Sequence, residues 1–331
     1  MTAYRARLTE TDIRRLIKAT DEDERAAATH KLCRNMDKAG LDGEEREAAQ
    51  KILRVLAHDA AELVRRAMAV TLKSSDLIPR DVARRLAAEG ARVAILDLDQ
   101  TAASAVLDAP HMGFACDVSD TASVDRAFAA VKAAFGGVDV LVNNAGIGSA
   151  PGDGMAEFYG AQAEQQAQAA RGETPSIFAD QTIYCQDEGW SRVMAVTLDG
   201  VFRCSRAAVR LMVEAGTGGS IVNIGSTSAV KGDGPIPYST AKAAVLGLTR
   251  AMARELADRG IRVNAVNPGA TETPIYATLP AELKQAIAAD SALKRLATPD
   301  EIAGAVAFLA GDDGSFATGS VLTVNGGAYY S

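Results

Sequence analysis

Histidine is scarce in this chain. Of 331 residues only His30, His58 and His111 are histidines, and none lies beyond residue 111. Their absence removes Ser-His-Asp chemistry, and most zinc sites, from the C-terminal two-thirds. The four cysteines, Cys33, Cys116, Cys185 and Cys204, are far apart and follow no ligand spacing. They read as reduced core thiols, and no metal is expected. No apolar run approaches membrane-spanning length, and the polar start Met1-Thr2-Ala3-Tyr4-Arg5 has no signal-peptide pattern. The expectation is a cytoplasmic protein with no membrane partner. Positive charge is also short, and a net charge of −7 argues against nucleic acid as a partner.

Glycine and aromatic residues are missing from one end. Of 29 glycines only Gly40 and Gly43 precede residue 81, and Tyr4 is the one aromatic there. Residues 1–80 carry 16 basic and 14 acidic side chains, and the remainder 19 and 28. These are two kinds of sequence, with a boundary expected near residue 80. The first reads as a stack of short helices. Thr9 can cap a helix bearing Ile13, Leu16 and Ile17, and Asp21 to Glu24 open a second at the positive end of its dipole. A third runs from about Glu44 to Ala57, and a fourth, starting near Asp59, carries Leu63, Val64, Ala67, Met68 and Leu72. Pro79 suits the first turn of a fifth helix ending at Glu89, with Gly90 as its C-cap.

What is present in the second part centres on residues 226–242. Ser220-Ile221-Val222-Asn223-Ile224 reads as a buried strand introduced by Gly218-Gly219, and Ala243 to Leu256 has helical spacing. Tyr238 and Lys242 then stand four apart on one face of the first helical turns, with Ser226 on the loop before them. An ammonium beside a phenol favours the phenolate and suits proton exchange near neutrality. A neighbouring hydroxyl can hydrogen-bond a substrate carbonyl or alcohol. Tyr-x-x-x-Lys by itself is equally consistent with a half-exposed helix start and a solvated lysine.

Three further segments occur in order. Asn143-Asn144-Ala145-Gly146 follows the strand-like run 138–142. Asn267-Pro268-Gly269, then Thr273-Pro274, follows the run 261–266, and the chain closes with 319–327, Gly-Ser-Val-Leu-Thr-Val-Asn-Gly-Gly. Together with Ser226, Tyr238 and Lys242 these segments resemble the short-chain dehydrogenase/reductase family, over residues 84–331. The resemblance implies an α/β fold, a Rossmann-like doubly wound parallel sheet over 81–331, preceded by the all-α module at 1–80. That module resembles bacterial HEAT-like helical domains. It further implies hydride transfer between NAD and a small-molecule secondary alcohol or ketone, by an enzyme that forms homo-oligomers, dimers or tetramers.

On that resemblance Tyr238 exchanges the hydroxyl proton, Lys242 supports it and holds the nicotinamide ribose, and Ser226 polarises the carbonyl. Thr197 stands where the family usually has an asparagine that links the lysine to solvent through a water. Asp97, after the strand 92–96, matches the acid that accepts from the adenosine ribose; its alternative is an ordinary strand-end turn residue. Asp117 and Val118 resemble the pair bordering the adenine. Residues 143–146 steady the central strands and line the floor beside the cofactor through Asn144, Ala145 and Gly146, a structural role being the alternative for Asn144; Pro268 and Gly269 follow there, with Thr273 at the carboxamide. A helix is expected over about 120–135 and another over Trp190–Val213. Between them an insertion at about 149–187 exceeds the family's usual length. It is a candidate lid or oligomer contact, or a tolerated surface loop.

One family element is not found in the sequence. No strand followed by Thr-Gly-x-x-x-Gly-x-Gly precedes Arg84, so the first strand and the phosphate loop are expected to be absent. Strand 92–96 should then pair directly with 138–142, or a segment of the N-terminal module should fill the gap. The rival expectation from another class is a cofactor-free interaction or scaffold protein on a truncated dehydrogenase fold.

Overall fold

In the computed structural model residues 67–71, 77–273 and 281–330 are described. The chain divides into the compact units Met1–Arg66 and Ala67–Ser331, and the described residues belong to the second. The helices expected between Thr9 and Ala57, the HEAT-like resemblance and Cys33 lie outside the described residues.

Seven parallel strands form one sheet: β1 Ala67–Thr71, β2 Val93–Asp97, β3 Met112–Ala115, β4 Val138–Asn143, β5 Gly219–Ile224, β6 Ile261–Pro268 and β7 Val321–Val324. Their order across the sheet is β3-β2-β1-β4-β5-β6-β7. The first strand is therefore present, contrary to the expectation of its absence. Ala67-Met68-Ala69-Val70-Thr71 pairs on one side with Val93–Leu96 and on the other with Val138–Val142. Of the two arrangements expected for the gap, the second is found: a segment from before residue 80 lies between β2 and β4. The same segment corrects the expected fourth helix, since Ala67 to Thr71 are extended. Ala and Met favour helices intrinsically, but a strand covered on both faces needs only a short continuous apolar run, and tertiary pairing decides between the two.

Between the strands run α1 Leu77–Ala88, α2 Gln100–Ser104, α3 Thr121–Phe135, α4 Met155–Ala170, α5 Gln181–Tyr184, α6 Asp187–Thr197 and α7 Asp199–Ala215. They are followed by α8 Ser228–Lys231, α9 Ile236–Leu256, α10 Ala281–Asp290 and α11 Pro299–Ala310. The pleat sends alternate residues to opposite faces. Val93 and Ile95 of β2 pack with Val82 and Leu86 of α1 and Ile302 and Val306 of α11. Ala94 and Leu96 pack with Phe128 of α3, Ala208 and Met212 of α7 and Leu256 of α9. The result is three layers, helix, sheet and helix.

The ends of the helices follow their sequence signals. Asp120 caps α3 through its carboxylate, accepting from Ala122 N and Ser123 N, and Gly136 closes it at φ 86. The single helix expected over Trp190–Val213 is two, α6 and α7, hinged at Leu198 (φ −113, ψ −59). Two contacts account for the bend. Thr197 is drawn to residue 147 by its hydroxyl, and Gly200 backs so closely onto Val118 that a Cβ there would lie 2.8 Å from Val118 Cγ2.

Candidate active site

In a parallel sheet of this order the crevice for ligands opens at the carboxyl ends of the strands, where the chain reverses direction across the sheet. That point lies between β1 and β4. The residues singled out in the sequence gather along this edge: Asp97 ends β2, Asn144 to Gly146 follow β4, Ser226 follows β5, and Pro268 ends β6 with Gly269 after it.

Tyr238 and Lys242 lie in the first two turns of α9, as their spacing requires. Lys242 is 4% exposed, and its Nζ donates to Ile224 O at the end of β5 at 2.6 Å. A buried ammonium needs such partners, because taking it out of water is costly. The same Nζ stands 5.7 Å from the centroid of the Tyr238 ring. Gly146 faces this pair. A Cβ at residue 146 would lie 3.4 Å from Lys242 Nζ and 3.7 Å from Thr197 Oγ1, so glycine leaves the space above the lysine open. Thr197 is fully buried; its hydroxyl accepts from Ile147 N at 3.0 Å and donates to Ile147 O at 3.2 Å. It anchors the loop that carries Gly146.

Ser226 is half-buried. Its amide donates to Asn267 Oδ1 at 3.2 Å, and its hydroxyl accepts from Ser228 N at 3.1 Å. The loop between Ser226 and Tyr238 folds tightly. A Cβ at Gly234 would come within 3.0 Å of Ser228 Oγ and 3.1 Å of Ser239 Oγ, so the loop is closely packed between these two residues. Thr227 Oγ1 donates to Pro268 O at 2.8 Å, and Gly269 N to Val324 O at 2.9 Å, which ties the ends of β5, β6 and β7 together. Thr273 is half-buried on the segment after β6.

The residues matched to cofactor contacts by resemblance differ in their surroundings. Asp97 is 2% exposed, and its Oδ1 accepts from Asp99 N at 2.9 Å, so its carboxylate already serves the strand-end turn. Burial is the first cause raising its pKa, and the charge of Arg80 partly offsets it. Asp117 Oδ1 accepts from Ser119 N at 2.8 Å and from Ser119 Oγ at 2.6 Å, an Asx turn beside the buried Val118. Asn144, Ala145 and Gly146 are half-buried.

Several supporting contacts join residues far apart in the sequence. Asn143 Nδ2 donates to Ser205 Oγ (2.9 Å) and Asn223 Oδ1 (2.8 Å), and Asn223 Nδ2 donates to Thr249 Oγ1 (2.9 Å). This buried chain ties β4, β5, α7 and α9 beneath the site, with every member's side chain engaged. Asn267, which holds Ser226, is 1% exposed. Cys116 and Cys204 are buried free thiols, and burial pushes Cys116 up to about 12. Among the described residues no three His, Cys, Asp or Glu side chains are placed to hold a metal ion. Among them, too, no helix is long and apolar enough to cross a membrane.

The insertion, 149–187, is built from α4 and α5. Gly154, at φ +81, turns into α4 where a Cβ would come within 2.9 Å of Cys185 N and Gln181 O. The glutamine- and alanine-rich run Gln162–Ala170 forms the second half of α4.

Known proteins match over this same span. Residues 73–179 and 167–329 match the family model described as enoyl-(acyl carrier protein) reductase. The chain is 35% identical over 266 residues to the 3-oxoacyl-(acyl-carrier-protein) reductase FabG of Escherichia coli K12, covering 79% of this chain and 97% of that one. It is 38% identical over 266 residues to the cis-4-hydroxycyclohexanecarboxylate dehydrogenase of Sinomonas cyclohexanicum, covering 78% and 95%. The crystal structure of gox2181 superimposes with a TM-score of 0.66 at 31% identity, over 79% of this chain and 95% of that one. Reductases and dehydrogenases thus share sequence with this chain, and gox2181 its fold; the chain belongs to the short-chain dehydrogenase/reductase family of oxidoreductases.

Proposed function

We propose that the chain catalyses reversible hydride transfer between NAD(H) and a small secondary alcohol or ketone. The observation that carries this reading is the setting of Lys242: buried, bonded to Ile224 O, 5.7 Å from the Tyr238 ring and facing the gap at Gly146. A lone structural lysine has no need of a phenol and a cleared space beside it.

Tyr238 gives its proton to the carbonyl oxygen in reduction and takes the hydroxyl proton in oxidation. The fixed charge of Lys242 stabilises the phenolate left behind, and the same ammonium would hold a ribose hydroxyl of the nicotinamide half. Ser226 donates its hydroxyl proton to the substrate oxygen while its own oxygen accepts from Ser228 N, which fixes the rotor. Thr197, in place of an amide side chain, keeps the Gly146 loop against the lysine.

The nicotinamide half of a dinucleotide fits this edge. Gly146 leaves the approach to Lys242 open, and Gly269 packs so tightly on Asn325 that a Cβ would lie 2.7 Å from its Cα, keeping that wall flat. Asn144, Ala145, Gly146, Pro268, Gly269 and Thr273 would hold that half, and Asp97, Asp117 and Val118 the adenosine. The nicotinamide supplies the hydride, and the protein supplies geometry and electrostatics. Asp97 disfavours a 2′-phosphate, hence NAD rather than NADP. Assembly as a dimer or tetramer belongs to the same reading, and α7 exposes Phe202 and Val213.

The connection from β1 to α1 contains no glycine, Leu72-Lys73-Ser74-Ser75-Asp76. That feature favours a second reading, a cofactor-free interaction protein on the same fold. NADH fluorescence titration separates the two. Saturable binding, and a loss of at least roughly a hundredfold in turnover in Tyr238→Phe, are expected for the enzyme. No binding, or near-native turnover in that variant, would sink it.

A further inference from the structure

Helix α9 starts poorly. Its N-cap, Pro235, has no side chain able to accept a hydrogen bond, and Pro237 has no N–H. Ser239 N turns back to Pro235 O at 2.8 Å, but the amide of Ile236, the first helical residue, needs a partner from elsewhere. It finds one 55 residues upstream: Ile236 N donates to Gln181 Oε1 at 2.8 Å. The other end of that amide, Gln181 Nε2, donates to Asp153 O at 2.8 Å, and Gln181 is only 6% exposed.

Asp153 is itself fixed. It is 3% exposed, and its carboxylate accepts from Ser149 Oγ (2.5 Å), Ala150 N (3.0 Å) and Met155 N (3.0 Å). A rigid turn at the start of the insertion thus holds one end of Gln181, which holds the start of α9. Tyr238 lies two residues beyond Ile236, in the same turn. Lys242 lies a turn further in and has its own anchor at Ile224 O.

We infer that Gln181 is a positioning residue for Tyr238: it caps α9 from outside and makes the insertion part of the site's scaffold. This rests on the role proposed above for Tyr238. Loosening the cap frees the first turn, which displaces the phenol while leaving the lysine and the cofactor floor in place.

Two variants test it. Gln181→Leu is of similar size and removes both hydrogen bonds; Gln181→Glu keeps the acceptor facing Ile236 N and, held neutral by burial, an O–H donor facing Asp153 O. The expected result for Gln181→Leu is a loss of about tenfold in kcat, with KM and the NADH Kd changed by no more than about twofold. Gln181→Glu should keep kcat within about threefold of the wild type, because the bond to Ile236 persists. Hydrogen exchange reads the same contact without substrate: the peptide spanning 236–242 should exchange faster in Gln181→Leu than in the wild type or Gln181→Glu. Equal losses in both variants, or a parallel loss of NADH affinity, would show a role in packing alone and overturn the inference. So would native kcat with native exchange in Gln181→Leu. Should the wild type fail to bind NADH, the functional reading falls, and exchange at 236–242 still decides the cap.

Discussion

Asp97 sets burial against charge. Removal from water raises its pKa first, and the Asp99 amide that it accepts, with the charge of Arg80, pulls the other way. A carboxyl whose folded pKa exceeds its unfolded value contributes stability at low pH and loses it as pH rises through the folded pKa. Asp97→Asn keeps an acceptor for Asp99 N and sheds the charge. It should melt at or above the wild-type temperature at pH 8, with the difference closing below about pH 4 as the wild-type carboxyl becomes neutral. Melting curves across that range check this, and a variant markedly less stable at pH 8 would contradict it. In binding, Asp97→Ala should narrow the preference for NAD over NADP; equal dissociation constants for the two in the wild type would contradict the assignment. Single residues were legible where their partners are close in sequence. Tyr238 and Lys242 share a face because they are four apart, whereas Asn143 meets Ser205 and Asn223 across 62 and 80 residues. No local pattern announces such a meeting.

At the scale of elements, the turn after β5 shows how tightly one strand end governs another. A Cβ at Gly225 would fall 2.0 Å from Asn267 Oδ1, the atom that accepts from Ser226 N. Gly225→Ala must push Asn267 aside and release the Ser226 amide. The expected cost is about 1–3 kcal/mol of stability from overpacking, with turnover reduced by tenfold or more as Ser226 drifts. Thermal melts and kcat measured together test it, and native turnover would mean that the position of Ser226 does not limit the reaction. Most elements here were readable because apolar periodicity and punctuation agreed, as for α3 between Asp120 and Gly136. β1 was not readable. Its five residues are too few to set a period, and what makes them a strand is the pair of strands flanking them. The break at Leu198 was hidden likewise, since the contacts that bend the chain there come from Ile147 and Val118.

For the whole molecule, β1 in place restores the sheet order that puts a ligand crevice between β1 and β4, yet it does not restore the phosphate-binding sequence. The chain passes from β1 to α1 through Leu72-Lys73-Ser74-Ser75-Asp76, without a glycine. Glycines in that connection let backbone amides approach a pyrophosphate closely, and the helix that follows offers its positive end. A sequence without glycine there offers fewer such close approaches, while the contacts expected at Lys242, Gly146 and Gly269 are untouched. NADH should therefore bind, but well below the affinity of a relative with the glycine-rich turn. Replacing residues 72–76 with the family's Thr-Gly-x-x-x-Gly-x-Gly connection should lower the NADH Kd by about tenfold or more and leave kcat at saturation nearly unchanged, because the gain is in binding remote from the reacting atoms. Fluorescence titration of both proteins measures the first, and turnover at saturating NADH the second. If the natural chain already binds NADH at low micromolar concentration, this account of the missing glycines is wrong.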